Sequence, residues 1–175
     1  MTKFISVYSL FEEHILTAFP NVKILIENRS GSVYHGGRFV VSKMKECVEL
    51  CNQIAQNNLR LRIAFDIPQI FTAHNAKTEK KICALMDEAI SIREYIGGTH
   101  LWGKRRSASG RKVAHCGDLN SYFEDNQQLK EVFLQHFADC FDDNVPRKMV
   151  LEVNSGNDDL QLIISDLQSV GVRFV

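Results

Sequence analysis

Apolar residues are distributed along this chain in two alternating patterns. Four short runs, "VKILIEN" (Val22 to Asn28), "LRIAFD" (Leu61 to Asp66), "IGGTHLW" (Ile96 to Trp102) and "KMVLEVN" (Lys148 to Asn154), are rich in β-branched residues and continuously apolar, the pattern of buried parallel strands. Between them, apolar residues return every three or four positions. "SKMKECVELCNQIAQ" predicts a helix with Ser42 as N-cap, and "TEKKICALMDEAISIREYI" a helix opening after Thr78. "NQQLKEVFLQHFADCF" predicts a third amphipathic helix, and "DDLQLIISDLQSVG" a fourth ended by Gly171 at C′. The leading "FISVYSLFEEHILTAF" predicts a helix closed by Pro20. One helix followed by four strand-helix units is the order of an α/β fold with about four parallel strands and flanking helices.

Composition narrows this picture. With 175 residues, 45% of them hydrophobic and 24% charged, the chain is expected to form a single domain over 1–175 with a real core. Lys+Arg and Asp+Glu balance at 21 each, so no global basic field favours nucleic acid as a partner. The apolar runs fall short of the ~20 residues of a membrane-spanning helix, and no signal-peptide order opens the chain. The expectation is a soluble cytoplasmic protein with no membrane partner. Cys47, Cys51, Cys83, Cys116 and Cys140 are odd in number and scattered, which points to reduced thiols and not to disulfides or structural zinc. Cys47 and Cys51, four apart, are expected to meet on one helix face as buried packing.

Each predicted strand carries a metal-competent side chain at or near its C-terminal end: Glu27, Asp66, His100 and Glu152. Any one of them has an ordinary explanation. Asp66 can cap a following turn, His100 can be hydrogen-bonded in the core, and Glu27 and Glu152 can pair with Arg29 and Arg147. Four in phase ask for a common cause, because burying unpaired charge at each strand end is costly. In parallel α/β folds the C-terminal strand ends gather at one face, where a shared cation would satisfy all four. Two Glu, one Asp and one His are donors suited to Mn, Mg, Co or Zn.

The motifs "LIENRSG", "AFDIPQ", "THLWGK", "AHCGDL" and "VLEVN", in this order, resemble the C-terminal half of the xylose isomerase-like TIM barrels. That family includes sugar isomerases and epimerases and the endonuclease IV type of apurinic/apyrimidinic endonuclease. The resemblance runs from about Val22 to the end. It implies a partial TIM (β/α) barrel, the C-terminal half of a (β/α)8 barrel, with one divalent metal held by Glu27, Asp66, His100 and Glu152. It also implies catalytic roles for Glu27 and Glu152, one abstracting a proton from a substrate carbon and the other returning it on the opposite face. The expected substrate is a small sugar or sugar phosphate. The endonuclease branch, acting on abasic DNA with three zinc ions, has Asp-x-x-His where this chain reads "DIPQ" with Gln69, and Asp-x-His where Val113 precedes His115. Two zinc ligands are therefore missing, which favours the one-metal isomerase or epimerase pattern. A whole barrel takes about 250 residues, so the expectation is a fragment, a half completed by a second chain or second copy, or a catalytically inactive half-barrel that acts through a partner chain.

The segment after the third strand adds substrate candidates. Lys104, Arg105, Arg106, Arg111 and Lys112 stand at the expected mouth, where they could grip phosphate or carboxylate or simply be solvated. Trp102 could stack on a sugar or base, Gln69 occupies a substrate-facing motif position, and His115 could bind substrate or a second metal. Cys116 beside His115 makes a poor nucleophile pair, since adjacent side chains in an extended segment point apart. "NRSGSVYHGG" lacks the spacing of a nucleotide-binding loop, and its His35 and glycines are expected to form a flap over the site.

Overall fold

A computed structural model describes residues 1–31, 33–34 and 37–174. Helix α1 (Thr2–Ala18) precedes strand β1 (Leu25–Glu27) and a short ribbon of β2 (Val33–Tyr34) and β3 (Gly37–Arg38). Then come α2 (Met44–Gln56), β4 (Arg62–Asp66), α3 (Ile67–His74), α4 (Glu79–Ile90) and β5 (Ile96–Leu101). A second ribbon, β6 (Lys104–Arg106) and β7 (Lys112–Ala114), leads to α5 (Leu119–Tyr122), α6 (Gln127–Phe141), β8 (Lys148–Leu151) and α7 (Asn157–Ser169). His35 and Gly36, assigned to the expected flap, lie outside the described residues.

The four predicted strands form one parallel sheet in the order β1-β4-β5-β8. Neighbours in space are neighbours in the repeat, with no reversal of direction across the sheet. That is the singly wound order of a barrel wall, where doubly wound folds reverse at a switch point. Register then fixes the faces. Glu27 pairs with Ala64, Asp66 with His100, and His100 with Val150, so Glu27, Asp66 and His100 share one face. Ile26, Ile63, Phe65, Thr99 and Leu101 fall on the other face, the one covered by helices.

This parity depends on an irregularity. Ile63 pairs with Ile96 but the next residue, Ala64, pairs with Gly98, so Gly97 is an extra residue in β5. Were the pairing to run regularly through Gly97, every later side chain of β5 would point to the opposite face, and His100 would enter the helix-covered core. Space explains the residue type as well, since a Cβ on Gly97 would lie 2.7 Å from Leu25 Cδ2 and 2.9 Å from Arg62 Cβ.

The helix-covered face makes the core. Phe65, Ile63, Ile67 and Ile70 are buried there with Met44, Leu50 and Ile54 of α2, Ile82 and Met86 of α4, and Phe133 and Phe137 of α6. Cys47, Cys51 and Cys140 join them as free thiols, and burial pushes each thiol up to about 12. Cys83 and Cys116 are half-buried and also free, so packing is the role the buried thiols fill. Phe133 sits at the hub of an aromatic cluster, with ring centroids 5.7 Å from Phe71, 5.5 Å from Phe123 and 5.9 Å from Phe137. Phe133→Ala is expected to cost about 3–5 kcal/mol in urea denaturation by opening a cavity among rings that cannot collapse; a loss under about 1 kcal/mol would contradict that packing.

Helix ends refine the expectations. The N-cap of α2 is Lys43 and not Ser42, because the Glu46 carboxylate reaches back to the backbone N–H of both residues, 2.8 and 2.9 Å away. Gly171 follows α7 at φ +91°, with its N–H on Gln168 O and that of Val172 on Leu167 O, the paired closure of a helix ended by a C′ glycine. Helix α3 has no counterpart in the sequence reading. Pro68 in its first turn looks like a breaker, yet that turn needs no N–H from it, and Asp66 caps the helix through Gln69 N–H. Among the described residues no helix is long and apolar enough to cross a membrane.

Candidate metal centre

The C-terminal ends of the four strands bring together the four side chains that the sequence singles out. Ligand atoms of Glu27, Asp66 and His100 all lie within 4.8 Å of one another. His100 Nδ1 lies 4.0 Å from Glu27 Oε2 and 3.3 Å from Glu152 Oε1. Glu152 stands one residue beyond β8, held by its N–H on Leu101 O at 3.0 Å. The pairing with Arg147 that would be the ordinary alternative for Glu152 does not occur: Arg147 is bidentate to Asp143, at 2.6 Å from each oxygen, which holds that carboxyl down at about 2.

The fit of these residues to a divalent cation rests on His100 and Asp66. His100 Nδ1 is a buried nitrogen without a hydrogen-bond partner, although two carboxylates flank it. A core histidine held by a hydrogen bond, the ordinary alternative, is thus not what the protein builds. Ligands that converge on a common centre do not bond to one another, and an unsatisfied buried nitrogen is costly otherwise. Asp66 is wholly buried, and desolvation pushes its carboxyl up to about 7. The Gln69 N–H and Trp102 Nε1–H oppose that rise, while the charges of Glu27 and Glu152 add to it. Three carboxyls and an imidazole crowded at one strand-end face fit a hard or borderline divalent ion.

Neighbouring side chains hold this arrangement. Asn28, fully buried, donates through Nδ2 to Asp66 O and accepts from Asp66 N–H through Oδ1, both at 2.9 Å. Its amide thereby extends the β1–β4 ladder by one step where the backbone leaves it. In the sequence Asn28 is only the end of a strand; its signal is a polar residue directly after a metal-competent one. Trp102 donates from Nε1 to both oxygens of Asp66, at 3.2 and 3.1 Å, and its ring stacks on His115 with centroids 4.6 Å apart. His115 Nδ1 lies 3.0 Å from Glu152 Oε2.

The other substrate candidates are placed differently. Gln69 Oε1 accepts from both the N–H and the hydroxyl of Ser30, so it ties down the segment after β1 and is not turned to the cluster. The cationic segment is a hairpin. Arg105 pairs with Asp159 at 2.6 Å, a carboxylate that also accepts from Ser155, while Lys112 and Arg106 both meet Glu124. These cations are matched by acids of α7 and of the segment after α5. Arg111 is exposed near the hairpin tip and Lys104 is half-buried at its base.

No protein-family model matches this chain, and no curated protein matches it significantly. Among solved structures, it is similar to the probable 3-DHS dehydratase AsbF of Bacillus anthracis, described as involved in petrobactin synthesis, with a TM-score of 0.54 at 15% identity. The likeness covers 98% of this chain and 56% of that one, so the chain spans about half the length of the structure it matches. At that identity the likeness speaks to fold alone: an α/β chain with a four-stranded parallel sheet and flanking helices.

Proposed function

We propose that this chain is the C-terminal half of a xylose isomerase-like (β/α)8 barrel and carries a one-metal site for isomerising or epimerising a sugar or sugar phosphate. One observation carries the reading: four ligand-type side chains at adjacent strand ends, with Glu27 and Glu152 flanking the buried Nδ1 of His100, unpartnered among the described residues, and with ligand atoms of Glu27, Asp66 and His100 within 4.8 Å of one another. Glu27, Asp66, His100 and Glu152 would hold the ion. A bound divalent cation polarises a carbonyl and acidifies the carbon beside it. Glu27 and Glu152 are the groups to exchange a proton with that carbon, each with its side chain about a third exposed while Asp66 is buried. Asp66 has no open path to a substrate, and its part is to bind. Among the described residues strands β1 and β8 each have a sheet neighbour on one side only, which supports closure of the barrel by a second chain or second copy. The three-zinc phosphodiesterase reading on abasic DNA gains nothing from the geometry, since Gln69 is bonded to Ser30 and Val113 lies exposed in the hairpin.

Metal analysis after equilibrium dialysis tests this directly. About one Mn, Co or Mg per chain is expected; near three Zn would favour the phosphodiesterase, and none would remove both. Glu152→Gln is expected to abolish turnover of ketose and aldose substrates while melting within a few degrees of the parent, and undiminished turnover would exclude Glu152 as acid or base.

A further inference from the structure

We propose that His115 is a positioning residue, which holds the Glu152 carboxylate so that Oε1 faces His100, and that Trp102 couples this hold to Asp66. The inference rests on the metal reading above and adds a residue outside its ligand set. Glu152 lies past the end of β8, beyond the strand pairing that fixes Glu27, Asp66 and His100, and its backbone is tethered there by the N–H on Leu101 O. Its side chain needs another restraint. His115 supplies one, with Nδ1 3.0 Å from Oε2 while His100 Nδ1 lies 3.3 Å from Oε1, so the carboxylate spans two imidazoles.

The backbone at His115 is shaped for this contact. It sits at φ +59°, a left-handed conformation that a non-glycine residue adopts at a cost, and His115 O accepts from Asn154 N–H at 2.7 Å. That bond joins the turn after β7 to the segment carrying Glu152, two residues before Asn154. The ring is set on its other side by Trp102, stacked at 4.6 Å with planes inclined by 32°, and the same indole donates to both oxygens of Asp66. Imidazole and indole thus bridge the carboxylates of Asp66 and Glu152 from outside. Partners of ligating carboxylates act in this way, and their loss typically lowers metal affinity 10–100-fold.

Trp102 is the one tryptophan in the chain, so its emission reports on the site. Mn²⁺ is titrated into the wild type and into His115→Ala, His115→Phe and His115→Asn, followed by Trp102 fluorescence and by calorimetry, with a thermal melt of each. Phe keeps the stack and removes the nitrogen; Asn keeps a nitrogen near the Nδ1 position and tolerates the left-handed backbone. Ala and Phe are expected to weaken Mn²⁺ binding 10–100-fold and Asn by about threefold or less, with all three folded. Tight binding by Phe with loss in Asn would overturn the proposal and make the stack the functional element. Equal affinity in all four proteins would overturn it outright, leaving the metal reading intact. A wild type that binds no Mn²⁺ would remove the metal reading and this inference with it.

Discussion

Asp66→Asn is expected to stabilise the metal-free protein by about 2–4 kcal/mol at pH 8, while near pH 4 the two proteins melt together. Asp66 is wholly buried, and its carboxyl is pushed up to about 7 from an ordinary 3.8, first by desolvation and further by the charges of Glu27 and Glu152. A carboxyl whose folded-state pKa lies above its unfolded one makes the native state the tighter proton binder. Stability from it is full below the unfolded value and drains away as pH rises toward 7, because the folded chain must then hold a buried anion among other anions. A shift of roughly three units corresponds to about 4 kcal/mol at the limit. Asn still accepts from Gln69 N–H and Trp102 Nε1–H, so the α3 cap is kept. Excess Mn²⁺ should close or reverse that gap: at 1,000 times its Kd a cation adds about 4.1 kcal/mol to the wild type, and little to the variant. Urea or thermal melts at pH 4, 6 and 8, with and without Mn²⁺, decide the matter. A variant no more stable than the wild type at pH 8 would mean that water reaches the carboxyl.

The same residue shows what the sequence could and could not reveal. Asp66 is legible twice, as a candidate strand-end ligand and as a cap for a following turn, and the second is what the fold displays at the start of α3. The four strands were legible because parallel strands buried in a sheet read as apolar runs, and pairing order followed from the repeat. Their ends were not. β1 stops one residue short of Asn28 and β8 three short of Asn154, because Asn28 continues the ladder with its side chain and Glu152 leaves it to reach the site. The skip in pairing at Gly97 that keeps His100 on the site face has no signature, since two adjacent glycines look alike until pairing shows which one is skipped. The hairpin of β6 and β7 was read as a charged loop for a physical reason. Its strands gain order from acids far away in sequence, Asp159 and Glu124, and not from a period of apolar residues. His115 stood among candidate substrate contacts, but its bond to Asn154 and its place beside Glu152 depend on a turn that only the folded chain displays.

Gly103→Ala is expected to cost about 3 kcal/mol or more and to weaken Mn²⁺ binding along with it. Gly103 lies between Trp102 and the first strand of the cationic hairpin, where a Cβ would fall 2.0 Å from Gly117 O, 2.3 Å from Gly117 C and 2.7 Å from Asp118 O. All three obstacles are backbone atoms, so no side-chain rotation relieves them. The segment His115 to Asp118 must instead move away. It is fastened by Gly117 N–H on Ser155 Oγ, by His115 O on Asn154 N–H, and by Asp118, whose carboxylate caps α5 and is held below the usual carboxylate range by the Ser121 and Asn120 donors that outweigh its burial. Displacement would therefore strip Glu152 of its neighbouring imidazole and unstack Trp102 in one movement, coupling a stability defect to a site defect. Gly110→Asn is the matched control, at φ +79° on the hairpin tip with nothing within 4 Å of its Cβ position, in a conformation that Asn tolerates. That variant should melt within about 1 kcal/mol of the wild type and bind Mn²⁺ unchanged. If Gly103→Ala behaves like this control, the turn after β7 does not rest on the end of β5, and the alignment of His115 with Glu152 must have another cause.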